Sequence, residues 1–284
     1  MSEPSTCPHC SGEGKNANDA AKDADTNDQG QDTGSPAEAC DVKSPCCCVK
    51  ILCVVLAVAL AIVLFVNYLV LPWMLARNIE VRTAYRNLKR IGWAMHNYEQ
   101  KYGCFPPAYV ADKDGKPMHS WRVLVLPFME ADSAKGYRLD EPWDSPNNRK
   151  VAEAAAKLFQ YPLASHAKGD LTTDYMMVVG PHTISDGPHS RKAKEITDGL
   201  ADTIMVVEVA DSGVPWNKPI DLQFDLMNFR INSTKRMCIG GNDPRMAEIV
   251  FCDGSLYSLS EGANPELVKA MLTIDGGEPI PKDR

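Results

Sequence analysis

The sequence lacks the basic balance of a nucleic-acid binder: 30 Lys and Arg stand against 37 Asp and Glu, for a formal net charge of -7. No run of Lys or Arg interleaves with aromatics, so nucleic acid is not an expected partner. Motifs of the common chemistries are missing too. There is no nucleophile elbow, phosphate loop, zinc-protease helix or dinucleotide fingerprint. The histidines at positions 9, 96, 119, 166, 182 and 189 show neither HxH nor HxxxH spacing. No acid, base and nucleophile set can be named, and the chain reads as a protein that is not an enzyme. A third lack is local: before Val42 there is no Val, Ile, Leu, Phe, Tyr or Trp. Such a segment cannot bury enough apolar surface to offset its ordering entropy, and residues 1–48 read as a disordered, cysteine-containing tail.

The segment after the tail is its opposite. Residues 49–71, VKILCVVLAVALAIVLFVNYLVL, carry one charge, Lys50, and only Asn67 and Tyr68 interrupt the apolar run. About 20 such residues cross a hydrocarbon core of roughly 30 Å. A secretory signal is shorter, begins at the N-terminus and ends in small residues. The expectation is a retained single-pass transmembrane helix, with the lipid bilayer as partner.

Residues 74–102 then predict an amphipathic helix. Val81, Ala84, Leu88, Ile91, Met95, Tyr98 and Tyr102 recur at steps of three and four, and Arg82, Arg86, Lys89, Arg90 and Glu99 lie opposite. His96, beside the stripe, is expected to hydrogen-bond the helix to a sheet. Pro72 predicts one kink between span and helix, and Gly103 with Phe105-Pro106-Pro107 predicts its end. Downstream, a short apolar element covers 120–129, a helix 149–160, and β-type runs 174–179, 203–210 and 247–252. Asp253-Gly254 predicts a two-residue type I′ hairpin into 256–259. Asn264-Pro265-Glu266 predicts a capped helix to about residue 273. The class is α+β: a long N-terminal transmembrane and amphipathic helix packed on a mostly antiparallel sheet, with the folded domain over residues 72–284.

Several stretches carry a resemblance. They run from Asn87-Leu88-Lys89-Arg90-Ile91-Gly92 through His96-Asn97-Tyr98, Tyr102-Gly103 and Phe105-Pro106-Pro107 to His119-Ser120-Trp121-Arg122. Further on stand Glu141-Pro142-Trp143-Asp144-Ser145-Pro146-Asn147-Asn148, Ile196-Thr197-Asp198-Gly199, Glu208 to Gly213 and Phe251 to Ser255. Together they make the chain resemble a bacterial family of pilin-like and pseudopilin-like membrane proteins of unknown function that end in a His-x9-Asp-Gly signature. Two departures stand out. The span has no prepilin cleavage point and no Glu, and Asp243 occupies the signature's His position before Asp253-Gly254. The resemblance implies a non-enzymatic scaffold or assembly subunit of an envelope or secretion-related complex, with protein partners along the long helix. It also implies a cytoplasmic-membrane location, the N-terminus cytoplasmic and the folded domain extracytoplasmic. The charges oppose that orientation, since Lys43 and Lys50 lie at the N-terminal side of the span while Arg77, Arg82, Arg86, Lys89 and Arg90 come after it. The rival function is a tethered binding module for a small solute or envelope polymer, using loops around Trp121, Trp143, Trp216 and His182 to His189.

No cofactor is required, but two metal sites are candidates. Cys7 and Cys10 have the spacing of half a zinc site, which Cys40 and Cys46 to Cys48 would complete. Acylation of that cysteine cluster and plain thiols are the competing readings. Asp243 and Asp253, with Asp221 and Asp225, would supply the oxygen ligands that calcium prefers, as in the C-terminal loop of major pseudopilins. Cys104, Cys238 and Cys252 are left for geometry to pair or keep apart, and Asn232-Ser233-Thr234 is read as a chance sequon.

Overall fold

The computed structural model describes residues 45–162, 164–234 and 237–281, with side chains at these positions except 45–47 and 77–84. The chain divides into two units, Met1–Ala61 and Ile62–Arg284. Every described residue of the first is helical and belongs to α1, Pro45–Phe65. Its Leu and Ala favour helix, and after Pro45 no Gly or Pro interrupts it. The helical stretch Cys48–Ala76 has 29 residues, its most apolar 18-residue window has a mean hydropathy of 3.1, and it is long and apolar enough to cross a membrane. At 1.5 Å per residue it extends about 43 Å, more than a hydrocarbon core of roughly 30 Å requires.

In the second unit the helix passes through a π-turn, Val66–Val70, into α2, Leu71–Tyr102. The sequence places a kink at Pro72, and the structure has a local widening of the helix just before that proline. Pro72 has no N–H to donate and its ring crowds the preceding turn. The wider turn absorbs this, with the Leu71 N–H reaching back to the Val66 carbonyl. Asn67 Nδ2 donates to the Val63 carbonyl at 2.8 Å. Gly103, at φ 76°, ends α2 by donating to the Glu99 carbonyl.

A hairpin of β1 (Tyr109–Ala111) and β2 (Pro117–Ser120) leads to α3 (Trp121–Met129). Ser120 caps α3 by accepting from the Arg122 N–H. The short apolar element is thus a helix, and its Pro127 sits near the end. The helix α4 covers Pro146–Ala155 and ends in a 3₁₀ turn, Ala156–Leu158. It begins earlier than its alanine-rich core suggests because Ser145 caps it and Pro146 pre-sets the first turn.

The run 174–179 is two strands rather than one: β3, Tyr175–Met176, and β4, Val178–Val179. They separate at Met177, whose N–H donates to the Asp221 carboxylate at 2.9 Å instead of to a neighbouring strand. Next come β5 (Ile204–Glu208), β6 (Leu222–Gln223), β7 (Met246–Phe251) and β8 (Leu256–Ser260), then α5 (Pro265–Ala270), capped by Asn264. The main sheet has the order β3-β5-β7-β8 with antiparallel pairs, and β4 pairs with β6 in parallel. The class is α+β, as the sequence implies.

Both faces of the main sheet are covered, which is why every residue of β5 is buried. One face joins Met205, Val206 and Val250 to Leu88, Ile91 and Met95 of α2 and to Trp121 and Phe159. The other joins Val207, Ile249 and Phe251 to Val268, Met271 and Leu272 around α5. Gly92 sets the approach of α2 to β7, since a Cβ there would lie 3.0 Å from Val250 Cγ1. The β7–β8 loop is also one residue longer than a type I′ turn. The Gly254 N–H donates to the Phe251 carbonyl and the Phe251 N–H to Ser255, and only Gly254 has positive φ, at 82°. That is a type I turn followed by a left-handed glycine.

Candidate functional site

The loop 180–191 folds on itself before any ligand is considered. Thr183 Oγ1 donates within a cluster of three carbonyls, those of Val178, Gly180 and Ser185. Gly187, at φ 61°, rests against Tyr109, where a Cβ would meet the phenol oxygen at 3.2 Å. The parallel strands β4 and β6 end side by side here, and a Cβ at Gly180 would lie 3.0 Å from Phe224 Cβ. A recess of about 550 Å³ opens between them, lined by Tyr109, Pro181, Asp186, His189, Gln223 and Asp225 among others. His182 turns away and pairs with Asp275 at 3.1 Å. The three tryptophans whose loops are expected to share a cleft with this one do not line the recess. Trp121 and Trp216 are fully buried, with their indole N–H groups donating to Asp221 and to the Ala152 carbonyl. Trp143 is half-buried under Lys218. An aromatic cleft is therefore not formed by these three, because two of them are core.

A second recess, of about 330 Å³, lies between α2 and the β7–β8 loop. Its floor is His96, whose ring lies so close to Gly254 that a Cβ there would meet Nε2 at 3.1 Å. The expected hydrogen bond from His96 to the sheet is not made. Nε2 is buried without a partner, and the ring packs edge-on to Phe105 instead. Asp253 stands at the rim, its Oδ1 accepting from the Ser255 N–H at 2.8 Å and from Ser255 Oγ at 2.6 Å.

Two further charged groups are structural. Arg122 is fully buried and donates to the Tyr175 carbonyl, Ser120 Oγ and Asp221 Oδ1. Burial pushes Asp221 above the ordinary carboxylate range, although Arg122, the Met177 N–H and the Trp121 indole favour its charged form. The other is His166, held between Asp170 at 3.0 Å and Asp174 at 2.8 Å. Burial alone pulls the His166 pKa down, but the two carboxylates more than offset it and the net shift is upward. A raised histidine contributes stability that is complete below its unfolded pKa, near 6.5, and is lost as pH rises through the folded value. Burial also raises Asp174, which adds to the preference for the acidic side. Denaturant midpoints measured from about pH 5.5 to about pH 8.5 should therefore fall for the native chain and fall less for His166→Ala. Parallel curves for the two proteins would remove the clasp from the explanation.

The metal candidates are dispersed. Cys7, Cys10 and Cys40 lie outside the described residues. Asp243 pairs with Arg245 at 2.6 Å just before β7, and Asp253 lies beyond its far end. Six residues of strand hold them roughly 20 Å apart. Asp221 is committed to Arg122 in the core. Among the described residues no group of three or more His, Cys, Asp or Glu is placed to hold a metal. Cys104, Cys238 and Cys252 are separate thiols, and burial raises the pKa of Cys252. Asn232 of the sequon uses its Nδ2 on the Asp243 and Pro244 carbonyls.

A family model described as a protein of unknown function (DUF1559) matches residues 84–165, less than a third of the chain. The match covers the second half of α2, the β1–β2 hairpin, α3 and α4, and stops before the main sheet. No curated protein and no solved structure matches the chain.

Proposed function

We propose that this chain is a single-pass, membrane-anchored, pilin-like protein that acts as a non-enzymatic scaffold or assembly subunit in an envelope complex. Its domain would be extracytoplasmic and its tail cytoplasmic. The observation that carries the reading is the apolar helix Cys48–Ala76, which leads into the core helix of the folded domain. The outward side of α2 adds support. Tyr85 and Trp93 are largely exposed beside Lys89 and Arg90, while Leu88, Ile91 and Met95 serve the core. A face of this kind suits protein partners. External protease on spheroplasts should remove the domain while an N-terminal tag survives. Protection of the domain, with lysed controls digested, would overturn the orientation. Release of the protein by alkaline carbonate would overturn the anchor.

A second reading, a tethered binding module, is supported by the two polar recesses, each within the size range of small-molecule sites.

A further inference from the structure

We propose that the recess between α2 and the β7–β8 loop binds a neutral saccharide. The inference rests on the binding-module reading, for which it supplies a ligand class, and does not depend on which side of a membrane the domain occupies. Trp93, His96, Asn97 and Gln100 stand at i, i+3, i+4 and i+7 of α2, so they share one face of a rigid helix. Asp253 and Gly254 close the other side. The side chain that needs explaining is Trp93. It is 65% exposed, on a helix whose opposite side fills the core, so folding gains little from an indole there.

Each group in the recess matches a feature of a sugar ring. The exposed indole offers a flat apolar face on which the C–H side of a pyranose can stack. Asn97 and Gln100 carry both donors and acceptors, as hydroxyl groups do. Asp253, pinned by Ser255, adds an acceptor.

Other ligand classes fit less well. No Lys or Arg lines the recess, so an anion would meet Asp253 without compensation. A metal would need ligands that the described residues do not group together. An extended peptide would need free backbone groups or an apolar groove. The Gly254 and Ser255 N–H groups are already taken by the Phe251 carbonyl and by Asp253.

The test uses the full-length protein in a non-ionic detergent that has no sugar headgroup. Chitotriose, cellotriose and maltotriose are titrated, with trigalacturonate as the anionic control, by saturation-transfer NMR and calorimetry. At least one neutral trisaccharide is expected to bind and trigalacturonate is not. Trp93→Ala should weaken that binding about tenfold or more, and Gln100→Ala several-fold, with melting temperatures unchanged because both side chains are exposed. Binding of none of the neutral sugars, or equal binding of the anion, overturns the proposal. So does a loss of self-association in Trp93→Ala with no sugar bound, which would assign the face to protein contact. Sugar binding that survives Trp93→Ala but disappears in Asp225→Ala would overturn this site, move the ligand to the other recess, and leave the binding-module reading standing.

Discussion

Arg122→Met in the full-length chain is expected to lower folding stability by about 3–5 kcal/mol, the range seen when one member of a buried ion pair is removed. Arg122 and Asp221 meet at 2.7 Å with side chains 0% and 2% exposed. The Asp221 Oδ1 atom also accepts from the Trp121 indole at 3.1 Å and the Met177 N–H at 2.9 Å. Three separated parts of the chain, α3, the β3–β4 break and the approach to β6, converge on this one carboxylate. Without the guanidinium the carboxylate is left buried beside two weaker donors, and it will take up a proton rather than remain charged. The loss should therefore shrink as pH falls. The double variant Arg122→Met/Asp221→Leu should recover part of it, because removing both charges also removes the desolvation penalty. Urea unfolding followed by near-ultraviolet circular dichroism in detergent measures all three. A loss under about 1 kcal/mol for the single variant would mean that water reaches the pair and that it does not organise the core.

Gly241→Ala should cost about 3 kcal/mol, at the top of the range for overpacking. A Cβ at Gly241 would collide with the Met246 carbonyl oxygen and lie 2.9 Å from Ala247 Cα, and both obstacles are backbone at the start of β7. The loop cannot easily yield. The Gly241 N–H donates to Asn232 Oδ1 at 2.7 Å, and the Asn242 N–H donates to Glu208 Oε1 at 2.9 Å. Glu208 is buried, its pKa raised chiefly by that burial, and its other oxygen holds the Glu248 N–H. Pushing residue 241 outward would strip hydrogen bonds from a buried carboxylate. Gly262→Ala is the control, since the nearest atom to its Cβ would be Ser260 Oγ at 3.8 Å. That change should stay within about 0.5 kcal/mol. Equal effects at the two glycines would show that the loop before β7 is not close-packed.

The elements legible in the sequence are those whose signal is local. The apolar run, the stripe of Leu88, Ile91 and Met95, the Gly103 stop and the Asn264 cap are each written within a few turns of chain. The same holds for the hairpin into β8, although its turn type is not readable: a left-handed conformation at Asp253 is a matter of the closing bonds, not of the Asp-Gly pair. Where neighbours compete, local reading fails. Residues 174–179 read as one strand because Tyr175 to Val179 form an unbroken apolar run ending in two β-branched valines. Asp221, far along the chain, takes the Met177 N–H and divides the run between two sheets. Tryptophans 121, 143 and 216 read alike as loop aromatics, yet two of them are core, since indole burial depends on partners that spacing does not reveal.

The candidate sites divide in the same way. Composition alone yields a helix able to cross a membrane, because hydropathy is a sum over residues and needs no fold. The sequence reading groups Asp243 and Asp253 as calcium ligands, and the strand between them holds them apart by its own length. No motif draws Trp93 and Asp253 together, and α2 packing on β7 through Gly92 makes them neighbours. The sequence by itself determined the apolar helix, the amphipathic helix after it, the hairpin into β8 and the capped last helix, since hydrophobic periodicity and capping act over a few residues. Only the tertiary structure decided which polar groups end up paired in the core and which are left facing a recess, since that depends on contacts closed between residues far apart in the chain.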